Sequence, residues 1–139
     1  MFPDTGVSTS GFTGKFLHTI LVVEDEEAIR MFLTEFLQDC GYYVIEAENV
    51  AQAKDVLIDR PVDVVFSDIN MPGPENGFAL EKWIRQHYAN TKVLLTSGFP
   101  QAAEDTRDLL EPLIPKPYSI ASVLQRIESL FCVENSLHG

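Results

Sequence analysis

The stretch VDVVFSDINMPGPENG, Val62–Gly77, decides the fold. Its largely apolar run Val62–Phe66 delivers an aspartate, Asp68, and breaks off at Met71-Pro72-Gly73-Pro74. A short β-branched and aromatic run, bounded by Pro61 and by a Pro/Gly cluster, reads as a strand buried on both faces. It is too short for a helix, and the prolines close it off. Asp68 then stands at the carboxyl end of a central strand, the edge where open α/β sheets bind ligands. Taken alone, the residue is as readable as the cap of a turn. A second apolar run, Ile20–Val23, also ends in acids, Glu24-Asp25-Glu26, and that repetition favours a shared purpose.

Working outward, strands and helices alternate. Thr19–Val23 reads as the first strand. Ile29, Phe32, Leu33, Phe36, Leu37 and Cys40 recur at helical spacing, and Gly41 ends that helix. Tyr42–Ile45 is a second strand, and Ala51–Ile58 a helix with Ala53, Val56 and Leu57 inward. After the Asp68 strand, Gly77–Tyr88 is helical, with Leu80, Trp83, Ile84 and His87 on one stripe. His87 has no His or Cys beside it at metal spacing, so it reads as an ordinary helix-face histidine. Lys92–Leu95 is a fourth strand. Gln101–Leu110 predicts a short, poorly anchored helix, Leu113-Ile114 a brief fifth strand, and Ser119 a cap for a last helix whose stripe is Ile120, Val123, Leu124, Ile127 and Leu130. Five alternations predict an α/β fold: a doubly wound, five-stranded parallel sheet with helices on both faces. Residues 1–16 read as a flexible tail, 17–131 as one domain and 132–139 as a second tail.

Composition narrows the function. The 139 residues carry a formal charge of −11, which argues against direct nucleic-acid binding, since a phosphate backbone needs a basic face. No stretch approaches the length of a membrane span, and the first residues lack the pattern of a secretory signal. A cytoplasmic protein is expected. Cys40 and Cys132 fall on apolar helical positions, which suits buried thiols better than a disulfide or a metal site.

Strand ends carry Glu24 and Asp25, Asp68, and Thr96, with Lys116 after the fifth, all expected at one edge of the sheet. Three carboxylates at ~5 Å and an effective dielectric near 20 would repel by roughly 3 kcal/mol per pair. Such a cluster asks for raised pKa values or a cation. Oxygen ligands without His or Cys favour a hard ion, Mg²⁺. A cation beside a carboxylate nucleophile suits phosphoryl chemistry, with Lys116 and Thr96 as further donors to the phosphoryl oxygens.

Taken together and in this order, ILVVEDE, VVFSDINMPGPENG, LLTSG and PKPY resemble the response-regulator receiver domain of two-component systems, over about Leu17–Phe131. The resemblance implies a flavodoxin-like, three-layer fold with strand order 2-1-3-4-5. It implies that Asp68 accepts phosphate from a histidine kinase or histidine phosphotransfer protein. Asp25, Asp68 and the backbone carbonyl of Asn70 would hold Mg²⁺, with Glu24 helping through water. Lys116 would bridge to the phosphoryl group, Thr96 would turn inward to bond it, and the peptide before Pro117 would be cis. Such a domain phosphorylates and dephosphorylates itself, turns over no separate substrate, and switches its contacts with a downstream protein target as a monomer or weak dimer.

Two positions depart from the pattern. The loop Pro72–Gly77 looks one residue longer, and Leu113 stands where an aromatic switch residue is usual. Phe99, beside Gly98, is the nearest aromatic and the candidate to replace it alongside Thr96. A stand-alone or excised receiver is expected, because no further module follows the last helix. The rivals are a Mg²⁺-dependent aspartyl-phosphate phosphohydrolase of the haloacid-dehalogenase type and a pseudo-receiver that binds partners without phosphorylation. The first normally carries an acid/base Asp two residues after its nucleophile, where this chain has Asn70.

Overall fold

The structure, a computed structural model, describes residues 18–98 and 106–138, with side chains described through Phe131. Outside the segment between the fourth and fifth strands, its elements alternate as expected: β1 Thr19–Val23, α1 Glu27–Asp39, β2 Tyr43–Ala47, α2 Val50–Asp59, β3 Val64–Asp68, α3 Gly77–His87, β4 Lys92–Ser97, β5 Ile114–Pro115 and α4 Ile120–His138. The five strands form one parallel sheet in the order β2-β1-β3-β4-β5.

Strand geometry sorts the core into two layers, because successive side chains point to opposite faces. Leu21, Val23, Val65 and Leu95 face one way, against Ala53 and Leu57 of α2 and Leu80 and Ile84 of α3. Ile20, Val22, Val64, Phe66 and Leu94 face the other way, against Leu33 and Leu37 of α1 and Val123 and Ile127 of α4. Every residue of β3 is buried, polar Ser67 and Asp68 included, whereas β2 lies at the edge and exposes Tyr43 and Glu46.

Short-range signals set the helix ends. Asn49 and Asn76 cap α2 and α3, their side-chain oxygens accepting from the amides of Gln52 and Ala79. Ser119 does the same for α4 through Ser122. Gly41 ends α1 with φ +99°, and the amides of Gly41 and Tyr42 return to the carbonyls of Gln38 and Leu37. That is the double bond of a Schellman turn, which needs a left-handed residue.

Several boundaries differ from the sequence reading. β2 begins at Tyr43 and continues to Ala47 because it keeps pairing with Val22 and Val23. β4 runs two residues past Leu95: Thr96 and Ser97, though polar, continue the ladder to Ile114 and Pro115. The same register places β5 at Ile114–Pro115 rather than Leu113-Ile114. α4 continues to His138, past the end of its apolar stripe. Of the helix expected over Gln101–Leu110, residues 101–105 lie outside the described residues, Thr106 is helical, and the chain leaves the helix at Arg107. Cys40 is half-buried against the second layer rather than fully buried; the side chain of Cys132 lies outside those described. His87 is exposed, with Nδ1 2.8 Å from the carbonyl oxygen of Trp83, within its own helix. No helix among the described residues is long and apolar enough to cross a membrane.

Candidate functional site

The carboxyl ends of β1, β3 and β4 lie side by side, so Glu24, Asp68 and Thr96 meet at one edge. Asp68 is only 7% exposed, and both its oxygens are engaged: Oδ2 lies 2.6 Å from Nζ of Lys116, and Oδ1 accepts from the amide of Asn70 at 3.0 Å. Lys116 reaches the site because its own amide bonds the carbonyl of Ser97, extending the β4–β5 pairing, and its peptide with Pro117 is cis. Burial by itself works to lower the Lys116 pKa, but the hydrogen bond and charge of Asp68, joined by Glu24, leave it raised.

Glu24 is 3% exposed, and its Oε2 accepts from the amide of Glu26. Burial pushes its pKa up; the Glu26 amide and Lys116 oppose that shift, while the charges of Asp68 and Asp25 reinforce it. Asp25 is exposed at the mouth, as is Asn70. Three carboxylates tightly gathered, as the sequence suggested, are not what the structure holds. Among the described residues no group of three or more His, Cys, Asp or Glu side chains is close enough to enclose a metal. The reason is local: Glu24 turns to a backbone amide, Asp25 to solvent, and Asp68 to Lys116. The donor set still suits a hard ion. Mg²⁺ uses one or two carboxylates and keeps several waters, so a closed protein cage is unnecessary.

Thr96 is paired in register with Asp68 and is 1% exposed, but its hydroxyl donates to the carbonyl of Ile114 at 2.7 Å. It is adjacent to Asp68 and turned towards β5. Leu113 is half-buried against the first core layer. Phe99 lies outside the described residues.

Three features escaped the sequence reading. Gly77 opens α3 and passes directly under the Asp68 backbone, its amide bonding the carbonyl of Ile69. Lys54 holds Glu75 of the Pro72–Gly77 loop at 2.8 Å while sitting 5.2 Å over the Trp83 ring, which ties the lip of the site to α2. Arg30 is buried beneath the β1–α1 turn, with its guanidinium on Glu24 and Glu46. Arg30 and Lys54 are single charged residues within helical segments, and no spacing distinguished them from a solvated face.

The family model of the response regulator receiver domain matches residues 20–128. The sensor kinase CckA of Brucella abortus is 31% identical over 117 residues, which are 81% of this chain but 12% of CckA. The response regulator receiver protein CpdR of the same organism is 28% identical over 80% of this chain and 94% of its own length. Three transcriptional regulatory proteins also match, and this chain spans only about half the length of each. A crystal structure of the signal receiver domain of an HD domain-containing protein from Pseudomonas fluorescens superposes with a TM-score of 0.77 at 25% identity, over 86% of this chain and 98% of that one. With the sheet order, the buried Asp68 at the end of β3 and the lysine beside it, these matches show that the chain belongs to the response regulator receiver domain family of two-component systems.

Proposed function

We propose that the chain accepts a phosphoryl group on Asp68 from the phosphohistidine of a histidine kinase or histidine phosphotransfer protein. A carboxylate oxygen of Asp68 attacks phosphorus, the phosphorus–nitrogen bond breaks, and the departing imidazole takes up a proton. The product is an acyl phosphate. The observation that carries this reading is Lys116 Nζ at 2.6 Å from a carboxylate at the end of the central strand. The ammonium pairs with the Asp68 carboxylate, and it stands where charge gathers on the incoming phosphoryl oxygens.

The Asn70 amide fixes the second oxygen of Asp68 and so limits rotation of the carboxylate. Thr96 can donate to a phosphoryl oxygen only by releasing the carbonyl of Ile114, which couples phosphorylation to the β4–β5 edge. Phe99 and Leu113 would be the side chains that respond to that movement. Asp25, Asp68 and the Asn70 carbonyl would hold Mg²⁺, with Glu24 acting through water. When bound, the ion supplies neutralising charge to the phosphoryl oxygens and to the carboxylates. Water later hydrolyses the acyl phosphate, so the chain is a phosphoacceptor that returns itself to the resting state and turns over no separate substrate. Its output is an altered contact with a downstream protein, in the cytoplasm.

Labelling tests this directly. Acetyl phosphate or a phosphorylated kinase should give an acid-labile, hydroxylamine-sensitive adduct with the wild-type chain and none with Asp68→Asn. Undiminished labelling of the variant would remove Asp68 as the acceptor.

A further inference from the structure

Arginine is rarely buried unless its donors are used. Arg30 on α1 is 8% exposed, buried with Leu33 and Leu37. Its Nε donates to Oε1 of Glu46 at 2.9 Å, its Nη1 donates to the backbone carbonyl of Glu24 at 2.8 Å, and Nη2 lies 3.9 Å from Glu48. One guanidinium thus joins α1, the edge strand β2 and the turn that follows β1. A planar fork with donors in fixed directions suits such a bridge; a lysine ammonium does not.

The carbonyl it holds belongs to the peptide between Glu24 and Asp25. That peptide is planar, so fixing its oxygen fixes the direction in which the chain enters Asp25. The other side of Glu24 is fixed as well, because its amide donates to the carbonyl of Ala47 at 3.0 Å. Asp25 itself is exposed, and its approach to a metal depends on the peptide plane behind it.

We propose that Arg30 is a positioning residue: braced by Glu46, it holds the Glu24–Asp25 peptide so that the Asp25 carboxylate faces the metal position. This rests on the reading of Asp25 as a Mg²⁺ ligand. Geometry and electrostatics predict opposite signs here. As a cation near a cation site, Arg30 opposes metal binding through its charge alone, so its removal would tighten Mg²⁺. As a brace, its removal weakens Mg²⁺, and loss of an outer partner of this kind typically lowers metal affinity by roughly 10- to 100-fold.

The test is calorimetric titration of Mg²⁺ into the full chain, at a temperature where circular dichroism shows each variant folded. Arg30→Met should bind Mg²⁺ at least about 10-fold more weakly than wild type. Glu46→Gln and Glu46→Ala remove the same charge, but only the glutamine keeps an acceptor for Nε. Glu46→Ala should therefore bind several-fold more weakly than Glu46→Gln. Glu46 is an exposed residue of the edge strand, so this pair stays informative if Arg30→Met does not fold. Unchanged or tighter binding by Arg30→Met, or equal affinities for the two Glu46 variants, would overturn the proposal. A wild-type chain that takes up no Mg²⁺ would instead overturn the metal reading of the site, and this inference with it.

Discussion

Gly77 lies so close beneath Asp68 that a methyl group on its Cα would fall 2.6 Å from the Asp68 carbonyl oxygen and 2.7 Å from Cα of Ile69. Its φ is not positive, so space rather than backbone strain selects glycine here. Gly77→Ala must push α3 or the end of β3 aside. We expect a loss of about 1–3 kcal/mol in urea unfolding and slower acetyl phosphate labelling, because the displaced backbone carries the proposed acceptor. Gly73 is the opposite case, with φ +99° and nothing within 4 Å of an added Cβ. Gly73→Asn, which tolerates the left-handed region, should leave labelling unchanged.

The Asp68–Lys116 pair is asymmetric: the aspartate side chain is 9% exposed and the lysine 28%. Removing one member of a pair leaves the other charge unpaired, and the deeper charge suffers more. Lys116→Ala should destabilise the protein without added metal more than Asp68→Ala does, because a bared ammonium can still reach water. Chemical denaturation of both variants in chelator decides the order, and the reverse order would contradict the burial argument.

If Asp25 and Asp68 hold Mg²⁺ as proposed, the ion should raise the melting temperature, because such a site exists in the folded arrangement and not in the open chain. At about 100 times Kd the stabilisation is about 2.7 kcal/mol. Asp25→Asn should remove most of that gain while leaving the metal-free melting point nearly unchanged, because Asp25 is exposed. A metal-dependent shift of full size in the variant would exclude Asp25 as a ligand.

Tyr118 packs edge-on against Phe66 at 5.8 Å between ring centroids, and burial pushes its phenol pKa up. A raised pKa favours the protonated form in the fold. The associated stability is therefore complete below the ordinary value near 10 and is lost as pH rises through the folded value. Between those two values wild type should lose stability more steeply than Tyr118→Phe, which has no phenol to ionise. Parallel alkaline unfolding curves for the two proteins would show that Tyr118 is not among the groups responsible.

Periodicity in the chain determined the alternation of strands and helices, the burial of β3, the caps at Gly41 and Ser119, and the strand ends that carry Glu24, Asp25, Asp68, Thr96 and Lys116. These are short-range properties: an apolar face, a stop signal, and a polar group at a fixed offset from both. Tertiary structure alone decided what those groups touch. Thr96 turns to Ile114, Lys116 crosses to Asp68, and Glu24 takes a backbone amide in place of a crowded acid cluster. It decided that β4 continues through Thr96 and Ser97, because pairing with β5 satisfies backbone groups that side-chain polarity does not report. It also decided which polar residues sink. In sequence, Arg30 differs in no visible way from a solvated helix residue. Only the packing of α1 beside β2 brings Glu46 and the Glu24 carbonyl within its reach, and those partners make its burial possible.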